Sequence, residues 1–170
     1  FIVFEGIDGS GKSTHIKLLT EELQKRDLFL FVTKEYTDNP IGRLIKDYAE
    51  GGLRNLSPET EALLFAADRR EHLKKINDSL MKGKTVISDR YIHSSLAYQG
   101  ALGLSLEWIR ILNRFIRKPD LVLLLDIDPN SSLKRVIDRK PTVFEEDNYL
   151  HRVREIYLKL VEKGEITRID

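Results

Sequence analysis

The sequence contains no cysteine. That excludes disulfide staples and thiolate metal sites, allows a reducing compartment, and makes a cytoplasmic location the expectation. It also lacks a charge excess of either sign: 28 Lys and Arg stand against 27 Asp and Glu, a formal net charge of +1. A domain that grips a nucleic-acid backbone usually carries a clear basic excess, so no nucleic-acid partner is expected. Any nucleotide handled here should be small and held by local basic residues. No run is apolar enough to span a bilayer, so no membrane partner is expected either. No secretory signal is visible, because the first residues read as a strand rather than a charged stretch before an apolar one. Position 1 is phenylalanine rather than an initiator methionine, as expected of a trimmed start. No long linker, repeat or low-complexity segment interrupts residues 1–170, which read as one domain. What is present is ordinary for a folded core: 41% hydrophobic and 32% charged residues over 170 positions.

Short apolar runs alternate with helical patterns. Phe1–Glu5, Leu28–Thr33, Thr85–Ser88, Leu121–Asp126 and, more weakly, Ile166–Ile169 read as strands. Such spacing suggests βαβ units and a parallel sheet, an α/β fold. Leu121-Val-Leu-Leu-Leu shows no alternation, which predicts a strand covered on both faces. An amphipathic helix is expected after the first strand, to about Arg26. A second opens at Ser57-Pro58-Glu59 and runs to about Lys82, with a cap oxygen, a proline in the first turn and an acid at the positive end of the dipole. Asp128-Pro129 repeats that device.

Gly6-Ile7-Asp8-Gly9-Ser10-Gly11-Lys12-Ser13-Thr14 fits G-x-x-x-x-G-K-[ST]. Glycines let the backbone close around a phosphate, and the loop N–H groups and helix N-terminus then face the anion. Lys12 can reach the β- and γ-phosphates of ATP, Ser13 can place its hydroxyl on Mg²⁺, and Thr14 is placed to touch the α-phosphate. Because the motif follows a strand and opens a helix, nucleotide binding is the reading it supports. His15 reads as a solvent-facing helix residue.

Asp89-Arg90-Tyr91 follows the third strand. An Asp at the carboxyl end of a parallel strand beside the loop can hold the magnesium or its water, and Arg90 could clamp a phosphoryl group. Asp126 is the rival carboxylate. It also fits a purely structural role, starting a turn that Asp128 caps. Lys134, Arg135, Arg139 and Lys140 precede Pro141-Thr-Val-Phe-Glu145 and suggest a flap, about 135–147, whose cations close over ATP. A solvated charged face is the alternative. Arg152 and Arg154 read as surface residues, and the four histidines show no metal-ligand spacing.

Several ordered motifs resemble the thymidylate kinase family: residues 4–14, Leu64-Phe65-Ala66-Ala67-Asp68-Arg69, Asp89-Arg90-Tyr91 with Ser94-Ser95 and Ala97-Tyr98-Gln99-Gly100, and Lys118-Pro119-Asp120-Leu-Val-Leu. The resemblance spans nearly the whole chain. It implies a P-loop kinase fold, with a five-stranded parallel sheet, helices on both faces and a lid, and transfer of the γ-phosphate of ATP to thymidine monophosphate. It further implies that Asp8 bonds the acceptor 3′-hydroxyl, Phe65 stacks on thymine and Arg69 bonds its carbonyl. Arg90 would hold the acceptor phosphate, Tyr98 crowd the 2′ position, and Ser95 or Gln99 lie near the base edge. Members of the family are commonly homodimers. They carry a catalytic cation either in the loop or in the lid; Gly9 occupies the loop position here, so Arg135, Arg139 and Lys140 are expected to supply it. Lys34 stands where many members have the acceptor-phosphate arginine, keeping the charge without the fork. The tyrosine at position 36 replaces a proline, and the resemblance implies an adenine-contacting turn and a helix beyond Asp170. Two other functions remain open on sequence: a P-loop kinase for another nucleoside monophosphate or a nucleoside, and a nucleotide-binding regulator with slow hydrolysis. The regulator would not need a second phosphate site.

Overall fold

The computed structural model of the chain describes residues 1–52, 56–135 and 147–169. Five strands, β1 (Ile2–Glu5), β2 (Leu30–Lys34), β3 (Thr85–Asp89), β4 (Leu121–Leu125) and β5 (Thr167–Ile169), form one sheet of order β2-β3-β1-β4-β5. Every pairing is parallel. Among the described residues, seven helices connect or flank them: α1 (Lys12–Gln24), α2 (Pro40–Ala49), α3 (Pro58–Met81), α4 (Ile92–Ala101), α5 (Leu106–Leu112), α6 (Pro129–Arg135) and α7 (Asp147–Glu162). The α/β fold expected from the alternation is the fold observed.

The two faces of the sheet follow from strand alternation. Val3, Val86, Val122 and Leu124 pack in one cluster with Ile76 of α3, Leu96 of α4, Ile109 of α5 and Val153 and Leu160 of α7. Phe4, Ile87 and Leu125 turn to the other face and meet Ile16 of α1. The expectation of burial on both faces holds for most of β4, whose first residue Leu121 is 40% exposed. The edge strands are less covered: Val32 of β2 is 45% exposed and all three residues of β5 are exposed. An edge strand has one neighbour and less helix above it.

Caps set the helix starts. Ser57 Oγ accepts from Thr60 N at 3.2 Å ahead of Pro58. Asp128 Oδ1 accepts from Asn130 N and Ser131 N at 3.0 and 3.3 Å ahead of Pro129. Because the sheet is parallel, Glu5, Lys34, Asp89 and Leu125 end at the same rim. From β1 the chain crosses to β2, returns through β3 beside β1, and then passes to β4 on the other side of β1; a crevice at such a switch point is where these sheets bind ligands.

Candidate active site

β1 ends in Gly6, whose φ is 138° and whose missing Cβ would lie 2.6 Å from the carbonyl oxygen of Leu125 on β4. Only glycine lets the loop leave the sheet there. Gly11, at φ 91°, turns the chain into α1. Lys12 is the first residue of that helix and is 7% exposed. Its Nζ donates to the carbonyls of Gly6 and Ile7, both at 3.0 Å, leaving one N–H for a ligand. Burial, then the nearby Arg90, pulls its pKa down to about 8, against the opposing charges of Asp89, Asp8 and Glu5.

A cleft of about 430 Å³ opens above the loop. It is lined by Asp8, Gly9, Gly11, Lys12, Ser13 and Thr14, by Lys34 and Glu35 from β2, and by Asp89, Arg90 and Arg135. The structure thus brings the loop, the β3 acid and its arginine, and the β2 lysine to one place. Arg135 Nη1 reaches the Gly9 carbonyl at 3.4 Å, and Ser132 of the same helix donates to the Asp8 carbonyl. Arg139, Lys140 and the remainder of the expected flap lie outside the described residues. His15 is exposed, as the sequence suggested.

The two rival carboxylates differ in their partners. Asp126 is 4% exposed, accepts from Arg154 Nε and Nη2 at 2.7 and 2.9 Å, and pairs with Arg168 at 3.2 Å. Its oxygens are taken, by an arginine that sequence reading left on the surface. Asp89 Oδ1 is buried and has no hydrogen-bond partner among the described residues. A carboxylate that spares an oxygen at the rim of a phosphate cleft, with the Ser13 hydroxyl on the same lining, fits Mg²⁺, which takes one or two carboxylates plus phosphate oxygens and water. No group of three or more His, Asp or Glu that could hold a metal occurs among the described residues.

Arg90 adopts φ 70°, a left-handed conformation that costs a residue with a Cβ about 1 kcal/mol or more. Its guanidinium is held on three sides. Nη2 donates to Asp8 Oδ1 at 2.8 Å and to the Tyr98 hydroxyl at 3.2 Å, Nη1 donates to Ser94 Oγ at 3.1 Å, and the group stacks 5.0 Å from the Tyr98 ring centre. Asp8, assigned by resemblance to the acceptor sugar, is here the partner of Arg90.

Below Arg90 lies Glu5, fully buried. Its neighbours in β1 made it read as the end of an apolar strand. A carboxylate in such a strand needs partners, and that was the available signal. Tyr91, the N-cap of α4, supplies no side-chain cap, and Glu5 Oε1 does so from another element, accepting from Tyr91 N and Ser94 N at 2.9 and 3.2 Å. Oε2 accepts from Ser94 Oγ at 2.6 Å and from Tyr157 OH at 2.9 Å. Burial raises the Glu5 pKa, and the Ser94 hydrogen bond opposes it.

The expected acceptor residues line α3 and α4. Phe65 is half-buried, with the Tyr36 ring edge-on at 6.3 Å. Arg69 is 1% exposed and lies in a network: Nε donates to Glu35 at 2.8 Å, Nη1 to Asn113 at 2.7 Å, and Nη2 to Ser95 Oγ at 3.0 Å and the Tyr91 carbonyl at 3.3 Å. Among the described residues, four of its five N–H bonds are therefore used and one on Nη1 is left. Glu35 also pairs with His72 Nδ1 at 3.2 Å, and His72 Nε2 with Thr33 at 2.7 Å. Gln99 is buried, donates to Glu61 at 2.7 Å and keeps its Oε1 unpaired among the described residues. Glu35, Asn113 and Tyr36 were not found by sequence reading, because their partners are distant in the chain.

This geometry agrees with the similarity of the chain to known proteins. The family described as Thymidylate kinase matches residues 4–170. A protein of Thermococcus kodakarensis named "Probable thymidylate kinase" is 52% identical over 95% of this chain and 84% of its own length. Proteins with the same name from Pyrobaculum aerophilum and Methanococcus maripaludis are 46% and 44% identical, over 96% and 95% of this chain and 84% and 77% of theirs. A match along nearly the whole chain, on a fold whose phosphate loop and facing arginine lie as described, places it: the chain belongs to the thymidylate kinase family and is an ATP-dependent nucleoside monophosphate kinase.

Proposed function

We propose that the chain transfers the γ-phosphate of ATP to thymidine monophosphate, giving ADP and thymidine diphosphate. The observation that carries this reading is Arg90, fixed between the phosphate loop and α4, where a second phosphate would meet the γ-phosphate. A hydrolysing regulator has no use for it. The loop backbone and Lys12 hold the donor phosphates. Ser13 and Asp89 would hold Mg²⁺, which supplies charge neutralisation across the donor phosphates when bound. Lys34 and Arg90 align the acceptor phosphate, Phe65 offers its ring to the base, and the remaining N–H of Arg69 and the free Gln99 Oε1 are donor and acceptor for the base edge. Tyr98, anchored on Arg90, narrows the sugar site. Asp8 exchanges part of its bond to Arg90 for the sugar hydroxyl. An oxygen of the acceptor phosphate, already an anion, attacks the γ-phosphorus as the bond to the β-phosphate oxygen breaks, so no general base is needed. Catalysis is positioning plus electrostatics.

Residues 1–170 act as one domain in this reading, with about 135–147 as its lid; the contact of Arg135 with the Gly9 carbonyl supports a cation there. A homodimer is supported by Leu44 of α2 and Leu63 of α3, which are 42% and 51% exposed. A cytoplasmic enzyme agrees with the absence of cysteine, and no helix among the described residues is long and apolar enough to cross a membrane.

The test is ADP formation from ATP and Mg²⁺ with each common nucleoside and deoxynucleoside monophosphate. Turnover with thymidine monophosphate well above the ribonucleotide and purine acceptors is expected. Preference for another acceptor would discard the roles of Phe65, Arg69 and Tyr98, and no acceptor-dependent ADP would discard the kinase reading.

A further inference from the structure

Arg90 can serve a transferring phosphoryl group only if its guanidinium waits in the right place. An arginine has four side-chain torsions, and fixing them has an entropic cost that something must offset. Asp8 and Tyr98 hold one edge of the fork, but Asp8 is open to competition: its side chain is 32% exposed and faces the cleft. The other edge rests on Ser94, and Ser94 does not stand alone. Its Oγ accepts from Arg90 and donates to Glu5, with Tyr157 OH 3.0 Å from Ser94 Oγ and 2.9 Å from Glu5.

We propose that Glu5, through Ser94 and braced by Tyr157, is the positioning residue that sets the Arg90 guanidinium over the phosphate loop. Three observations converge. Glu5 is 0% exposed, and its four hydrogen bonds among the described residues go to Tyr91, Ser94 and Tyr157, so its carboxylate ties the start of α4 to α7. It sits one residue before the phosphate loop on the central strand, in register with Leu124, so the group that orients Arg90 is built into the same backbone that cradles the donor phosphates. The left-handed Arg90 presents Tyr91 N to Glu5 while its own N–H bonds the Phe4 carbonyl at 2.8 Å. The turn is thus fastened to β1 at two adjacent residues. Tyr157 is 1% exposed and belongs to α7, the helix that follows the expected lid segment, so the bracing crosses from the helix layer to the phosphates.

The inference rests on the kinase reading given above, and its test separates the two. Ser94→Ala removes the link to Arg90 yet leaves Glu5 to cap Tyr91 N and residue 94 N. Kinetics at saturating Mg·ATP are measured for the wild type, Ser94→Ala, Arg90→Ala and the double variant, with acceptor binding followed by calorimetry across the same set. The cycle is run on whichever nucleoside monophosphate the wild type phosphorylates, so a mistaken acceptor appears in the wild type and leaves the cycle readable. Ser94→Ala should lower kcat/KM roughly tenfold, the loss of one hydrogen bond to a charged group, and less than about twofold in the Arg90→Ala background. Tyr157→Phe, which keeps the ring, should fall in the same direction by a smaller factor and likewise only when Arg90 is present. Glu5→Gln should lose more but also melts earlier, since it weakens the cap of α4. A Ser94→Ala enzyme with wild-type kcat/KM, or equal losses with and without Arg90, would overturn the proposal and leave Glu5 as a helix cap alone.

Discussion

Binding Mg·ATP should draw a proton onto Lys12. With its pKa at about 8, the ammonium is half neutral near pH 8 in the free protein. Donor phosphates against Nζ favour the charged form and push the pKa back toward or above its ordinary value of 10.5. Uptake should then be about 0.1 proton per site at pH 7, about 0.5 at pH 8 and about 0.9 at pH 9. Calorimetric titration of Mg·ATP in buffers of different ionisation enthalpy reads this directly as a slope. The Lys12→Met variant should show no such slope. Linkage adds a second readout. A lysine whose folded pKa lies below its unfolded one destabilises the protein fully below pH 8, and the penalty fades as pH rises from about 8 toward 10.5. That displacement corresponds to roughly 3 kcal/mol, so Lys12→Met should unfold at higher denaturant than wild type at pH 7 and converge with it by about pH 10.5. Uptake that does not change between pH 7 and 9, or the same slope in Lys12→Met, would refute the reasoning.

Other outcomes follow from the remaining contacts. Phe65→Ala should raise the acceptor KM about tenfold, with kcat within a few-fold of wild type, since a stacking platform contributes on the order of 1–2 kcal/mol of binding; an unchanged KM would remove Phe65 from the base site. Asp89→Asn should cut kcat by about 100-fold or more while leaving the melting curve intact, because it touches a carboxylate with an oxygen to spare. Asp126→Asn should do the reverse: it breaks the pairs with Arg154 and Arg168, both partly exposed and so partly screened, at about 1–2 kcal/mol of stability in urea titration. Equal kinetic effects at the two positions would erase the distinction drawn between them.

Much of the fold was legible because its signals are local. The runs at 1–5, 85–88 and 121–126 and the caps at Ser57 and Asp128 each depend on neighbouring residues, and each led to an observed element. The phosphate loop was legible for the same reason, since positive φ at Gly6, Gly9 and Gly11 is a property of the glycines themselves. The edge strands were legible only as strands: the apolar runs at 28–33 and 166–169 do not say how far each is buried, because burial depends on what lies alongside. Asp89 and Asp126 looked alike, each an acid at the end of an apolar run. Arg154 and Arg168, which distinguish them, are 28 and 42 positions further along the chain.

By itself, then, the sequence determined the parallel sheet and the nucleotide loop, because strand propensity, glycine conformation and helix capping act within a few residues. Only the tertiary structure decided which carboxylate keeps a free oxygen, that Arg69 is braced by Glu35 and Asn113, and that a glutamate in the central strand stands behind Arg90. Those assignments depend on hydrogen bonds between residues 28 to 152 positions apart, and a buried polar group takes whichever partner the packed fold brings within reach.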